Sequence, residues 1–180
     1  MEPKTKEKIY IGIIILLIAL CGQFYYSFHY QPQAEIQVYY NHDQKLNEEI
    51  INIIRDSDKF VYFGIYTFTR QDIQDALLAA KHRGITVIGI TDRDQVVKIE
   101  SQKKIIEKLR AKDIPIYEQD HEGIMHVKIV VTEKAYASGS FNWTTSATNI
   151  NDEVLEVGKS EQIRSKYEKI LKELFSRYKK

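Results

Sequence analysis

Between His126 and Glu153 the chain gathers side chains suited to handling a phosphate group. His126 and Lys128 stand two residues apart in an otherwise largely apolar run, residues 125–132, so an extended backbone points both to one face. An imidazole and an ammonium side by side in a core would be costly without partners, which argues for a site. Fourteen residues after His126 comes Ser140 and then Asn142, within Ser138-Gly139-Ser140-Phe141-Asn142-Trp143. Small residues there would let backbone N–H groups approach an anion, and the Asn142 amide would donate one more hydrogen bond. Glu153 opens the next apolar run, close enough in sequence to return to the same place. Together these groups suit a phosphodiester, because cationic and amide donors neutralise its equatorial oxygens. The histidine can attack phosphorus and divide one hard displacement into two easier ones. No carboxylate set with metal-ligand spacing accompanies them, so neither a metal nor another cofactor is expected. The single cysteine, Cys21, leaves no disulfide framework and no cysteine-rich zinc site.

These residues must be carried by an alternation of short β-rich runs and amphipathic helices. Strands are expected at residues 34–40, 60–68, 85–91, 114–117, 125–132, 136–140 and 153–157, the fifth and sixth joined by a tight turn at Glu133-Lys134. The run at 85–91 is nearly continuous in apolar residues, as for a strand covered on both faces. Helices are expected at 43–56, capped by Asp43, at 71–83, stopped by Gly84, and at 101–112. A last helix, 161–178, would turn Ile163, Tyr167, Ile170, Leu171, Leu174 and Tyr178 inward. The order predicts an α/β layered domain with a mixed β-sheet flanked by helices.

The first 33 residues form a separate piece, a membrane anchor or signal peptide with its linker, ahead of a domain at 34–180. Residues 9–20 are unbroken in apolar character, and Cys21, Gly22 and the aromatics Phe24, Tyr25, Tyr26 and Phe28 extend them. The stretch is long enough for one transmembrane helix with interfacial aromatics at its far end. Lys4, Lys6 and Lys8 precede it and the next basic residue is Lys45, so the preferred topology keeps the N-terminus in the cytoplasm and exports the domain. The alternatives are a cleaved signal peptide, for which Ala19-Leu20-Cys21 is a poor processing site, a lipoprotein signal and a buried core helix. Net charge is +1, and beyond residue 33 basic and acidic residues are equal in number, so any phosphate-binding surface must be local. Residues 159–180 hold eight Lys or Arg against three Glu, read first as the solvated face of a helix.

The pattern His126-x-Lys128-x4-Glu133, then Gly139-Ser140-x-Asn142 and Glu153, resembles the signature of the phospholipase D superfamily, His-x-Lys-x4-Asp followed by Gly-Ser/Gly-x-Asn. Tyr66-Thr67-Phe68-Thr69, the helix end Ala80-Lys81-His82-Arg83-Gly84 and the strand leading to Asp92 resemble the family's small bacterial members. The resemblance implies a phospholipase D-like layered domain and metal-independent phosphodiester cleavage through a phosphohistidine. His126 is then the nucleophile, Lys128, Ser140 and Asn142 bind the phosphate, and Glu153 holds an imidazole in its working tautomer. Glu133 stands where the family has Asp, and is read as a structural acid in a hairpin turn.

The family usually joins two motifs in one site, whereas this chain has one, so the resemblance implies a homodimer with a composite site. Small size and a single motif resemble the nonspecific endonucleases, making nucleic acid the expected substrate. A phospholipase acting beside its anchor, and an inert nucleic-acid-binding module, are the alternatives. An N-terminally anchored mitochondrial member carries a cysteine-rich insertion, which one cysteine does not match.

The remaining histidines have plainer readings: His29 among interfacial aromatics, His42 at a helix start, His82 at a helix end and His121 in a surface loop. His121 is nonetheless the next candidate for an acid. Phe141 and Trp143 could stack on bases, but aromatics of this kind more often support the loop that holds the Asn.

Overall fold

A computed structural model describes residues 3–29 and 36–179, within two units, Met1–Gln33 and Ala34–Lys180. In the first, α1 (Pro3–His29) contains the apolar stretch Lys8–Ser27, 20 residues of mean hydropathy 2.1. At about 1.5 Å per residue this stretch matches a hydrocarbon core of about 30 Å. Its side chains are exposed along residues 8–27.

The second unit is built on a seven-stranded mixed sheet in the order β1-β7-β6-β5-β2-β3-β4. Its strands are β1 (Ile36–Tyr40), β2 (Phe60–Ile65), β3 (Thr86–Asp92), β4 (Ile116–Gln119), β5 (Lys128–Thr132), β6 (Tyr136–Gly139) and β7 (Val154–Gly158). The β2, β3 and β4 strands are parallel neighbours, and every other pairing is antiparallel. Helices α2 (Leu46–Arg55), α3 (Gln71–His82) and α5 (Glu100–Arg110) share the larger core with Val61, Phe63, Ile65, Val130 and Leu155. On the other face α7 (Glu161–Tyr178) packs Leu171, Phe175 and Tyr178 against Ile90, Ile129, Val131 and Tyr136. Val130 thus faces one core while Ile129 and Val131 face the other, the strand period that divides the sheet's side chains between layers. Two short helices, α4 (Arg93–Lys98) and α6 (Thr145–Asn149), complete the domain.

Several boundaries differ from those expected. Helix α2 starts at Leu46 with no side-chain cap, and Asp43 lies in a turn. Asn41 is the cause: its amide and carbonyl oxygen bind Ala147, Asn151 and Glu153, holding the chain in that turn before the helix begins. The strand expected at 125–132 begins only at Lys128, whose partner Ile65 is the last residue of β2, so no strand remains for His126 to pair with. On α7 the buried stripe is Leu171, Phe175 and Tyr178, whereas Ile170 is 42% exposed. The outer face of α7 pairs Lys172 with Glu168 and Lys169 with Glu173, in keeping with a solvated helix. The start of the expected first strand, Ala34 and Glu35, lies outside the described residues.

Gly84 stops α3 as expected, at φ +83°. The Gly139 requirement is different: a Cβ there would fall on the Val154 carbonyl, so only glycine lets β6 run this close to β7.

Candidate active site

The candidate residues converge at one pole of the sheet, where β2 ends, β5 and β7 begin and β6 turns back. Lys128 opens β5 and is 8% exposed. Its ammonium donates to the His126 carbonyl at 3.1 Å and lies 5.5 Å from the centre of the Tyr66 ring. Burial pushes the Lys128 ammonium below the ordinary lysine value, and the Glu153 carboxylate partly opposes this. His126 is exposed, and its imidazole meets the Tyr66 ring edge-on at 4.8 Å between centroids. Among the described residues its ring nitrogens have no hydrogen-bond partner.

Glu153 is 6% exposed, just before β7. Its carboxylate accepts the Ser140 hydroxyl, by a very short bond, and the Asn151 amide at 3.2 Å. Among the described residues it makes no hydrogen bond to the His126 imidazole of its own chain. Ser140 is committed as well: its hydroxyl accepts the Val154 N–H at 3.1 Å, and its own N–H goes to the Val154 carbonyl. The serine therefore fixes Glu153, and it has neither donor left for a phosphate. The Trp143 N–H is likewise used, on the Thr67 carbonyl. The expected cradle of free amides thus shrinks to Phe141 and Asn142, whose N–H groups have no partner among the described residues.

Asn142 has a defined orientation. Its side-chain oxygen accepts the Thr67 N–H at 3.2 Å, which leaves the amide NH2 to point elsewhere as a donor. The loop after β2 is stitched to this segment through Thr69 and Arg70 N–H groups on the Trp143 carbonyl. Trp143 and Phe141 are 2% and 1% exposed, and Trp143 packs on Phe63 and Phe68. These aromatics support the loop and are too buried to stack on a base.

Glu133 lies at the opposite pole, in the β5–β6 turn. Its carboxylate accepts backbone N–H groups of Asp58 at 2.7 Å, Lys59 at 3.2 Å and Phe60 at 3.3 Å. Burial alone would raise its pKa, but these amides together hold it below the ordinary glutamate value. It is a clamp on the start of β2, remote from His126. His121 sits in a loop beside Tyr178 with Nδ1 on the Glu122 carbonyl, and His42 pairs with Asp152 at 3.2 Å. No group of three or more His, Cys, Asp or Glu among the described residues is arranged to hold a metal ion.

Sequence reasoning missed a set of supporting residues. Asp92, 1% exposed, accepts the Gln95 N–H at 3.0 Å and the Met125 N–H at 2.9 Å, fixing the residue before His126. Gln102, fully buried, accepts the Phe68 N–H and donates to the Tyr66 carbonyl and Thr91 hydroxyl. Asn41 anchors Glu153 through its backbone.

A family model described as "Cardiolipin synthase, PLD-like domain" matches residues 50–175. The chain is 24% identical over 141 residues to the mitochondrial cardiolipin hydrolase of Chlamydomonas reinhardtii, covering 78% of this chain and 62% of that protein. It is 28% identical over 130 residues to a phospholipase D of Rickettsia prowazekii, covering 72% and 62%. The chain thus spans less than two thirds of either relative's length. Among solved structures, the phospholipase D family member Nuc from Salmonella typhimurium superimposes with a TM-score of 0.72 at 23% identity, covering 78% of this chain and 93% of Nuc.

Proposed function

The chain belongs to the phospholipase D-like family, and on that premise we propose that it is a metal-independent phosphodiesterase whose substrate is nucleic acid. The observation that carries the reading is the convergence of His126, Lys128 and Asn142 at one open pole of the sheet. The family's members are phosphodiesterases, and relatives of this chain are named hydrolase and phospholipase. In the proposed reaction a His126 nitrogen attacks phosphorus while the bond to the leaving oxygen breaks, and that oxygen takes a proton from a second histidine. Water then attacks the phosphohistidine, gives its proton to the second histidine, and His126 is released. Lys128 and the Asn142 NH2 neutralise the non-bridging oxygens throughout.

The second histidine is proposed to be His126 of a second copy, brought in by a two-fold homodimer. Exposed apolar residues around the site pole support such a contact: Val97 on α4, Ile124 before His126 and Ile150 before Glu153, at 72%, 57% and 74% exposure. In that arrangement the imidazole of each copy, held against Tyr66 of its own chain, meets its counterpart across the axis. We further propose that α1 anchors the chain in a membrane, N-terminus inside, with the catalytic domain exported. The lysines before the span support this.

Nucleic acid is preferred because the domain is small, carries one motif and matches nearly the whole of the Nuc chain, and because His126 stands exposed where a polymer can reach it. A second reading, phospholipid hydrolysis, is favoured by the names of the curated relatives and by the apolar α1. The test is side-by-side incubation of the full chain in detergent and EDTA with plasmid, single-stranded DNA, RNA and cardiolipin-containing vesicles. Cleavage of nucleic acid and not lipid is the expected result. Lipid hydrolysis alone would replace the substrate, and activity lost in EDTA but restored by magnesium would replace the mechanism.

A further inference from the structure

We infer that Gln95, on α4 and outside the sequence motif, is a positioning residue that holds the two halves of the active site in register. The inference rests on the site proposed above and extends it to a residue that touches none of His126, Lys128 or Asn142.

Gln95 reaches both halves by separate bonds. Its backbone N–H donates to Asp92 at 3.0 Å, and the other oxygen of the same carboxylate accepts the Met125 N–H at 2.9 Å, one residue before His126. Its side-chain NH2 donates to the Tyr66 hydroxyl at 2.9 Å. The Tyr66 ring in turn lies against the His126 imidazole and under the Lys128 ammonium. The Gln95 side-chain oxygen accepts the Thr67 hydroxyl at 3.0 Å, and the Thr67 N–H fixes the Asn142 side-chain oxygen. One amide therefore binds adjacent residues of the loop after β2, of which the first meets the His126–Lys128 pair and the second orients Asn142.

The exposed His126 ring has Tyr66 as its one ring contact among the described residues. An exposed imidazole with no hydrogen bond of its own depends on that contact for its direction. Misplacing a reacting group by about 1 Å can cost on the order of 100-fold in rate. Releasing the Tyr66 hydroxyl should therefore slow chemistry more than it weakens binding.

The experiment uses the full chain in detergent, with Gln95→Leu, Gln95→Glu, Tyr66→Phe and the Gln95→Leu/Tyr66→Phe pair. Gln95→Leu removes donor and acceptor, whereas in Gln95→Glu the carboxylate accepts both hydroxyls and keeps the geometry. Two readouts are taken: the imidazole proton resonance of His126, and kcat and KM on the phosphodiester cleaved by wild type. Gln95→Leu should displace the His126 resonance and lower kcat by about 10- to 100-fold with KM changed less than about threefold. Gln95→Glu should restore both, and the double variant should lose little more than Gln95→Leu, because the two changes break one connection. An unmoved His126 resonance in Gln95→Leu, or a loss of kcat that Gln95→Glu does not rescue, overturns the inference. His126→Ala serves as the control for the underlying reading. If it stays active, the proposed catalytic role of His126 fails, while the resonance still decides whether Gln95 positions the ring.

Discussion

Lys128 shows how burial and function meet in one side chain. Its ammonium is useful to a phosphate only while charged, yet burial lowers its pKa, with Glu153 opposing. Below the folded pKa the charged lysine is present, and activity should be insensitive to this group. As pH rises through that value the charge is lost, so an alkaline limb should appear below the ordinary lysine value of about 10.4. Burying the charge also costs stability below the folded pKa, and the cost is relieved as pH rises from there toward the unfolded value. Lys128→Arg keeps its charge to higher pH, so it should abolish the limb while lowering kcat. A pH–rate profile with the limb unmoved would assign it elsewhere. His126→Ala should lower kcat by about three orders of magnitude or more and leave substrate binding, since it removes the nucleophile and little phosphate contact. Lys128→Ala and Asn142→Ala should each cost about 10²- to 10³-fold and weaken binding too, which a binding isotherm beside the kinetics would separate. That His126, Lys128, Asn142 and Glu153 come to one pole was legible in the spacing of their motif, whereas the roles given to them here are proposals. The parts of Asp92, Gln95 and Gln102 were not legible, because they lie in hydrogen bonds to backbone and loop groups more than twenty-five residues away.

At the scale of elements, the β5–β6 hairpin reaches back through Glu133 to the loop before β2. Three backbone N–H groups on one carboxylate make it an anchor for the start of β2. Glu133→Ala should destabilise the domain by about 1–3 kcal/mol at neutral pH and leave kcat of the folded protein nearly unchanged. Because the folded pKa of this acid is depressed, its contribution is full above the unfolded value of about 4.3 and is lost as pH falls through the folded one. Denaturant curves at pH 7 and pH 3 should therefore show the gap between wild type and Glu133→Ala closing in acid. Equal gaps, or a loss of kcat like that of His126→Ala, would refute a structural role. The long elements could be read from periodicity and apolar runs, since the larger helices each bury a regular face and β5 is buried along its whole length. The short helices α4 and α6 could not, because five or six residues give too little period to detect. The start of β5 was placed too early because apolar pattern does not reveal where a neighbouring strand ends.

For the whole molecule the question is how a single motif supplies both a nucleophile and an acid. The two act from opposite ends of an in-line displacement, so one His126 cannot do both at once. If copies pair at random around a shared site, co-expression of wild type with His126→Ala should lower activity as about the square of the wild-type fraction. A straight line would give each chain its own acid, with His121 next to be tested. The anchor is tested separately: protease added to cells with a permeabilised outer layer should digest the domain and spare the N-terminal stub. The central claim is that phosphodiester cleavage passes through a phosphohistidine on His126. The stereochemical course at a chiral phosphorothioate diester tests it most directly, because each in-line displacement inverts phosphorus. Two displacements predict net retention of configuration, and net inversion would contradict the covalent mechanism.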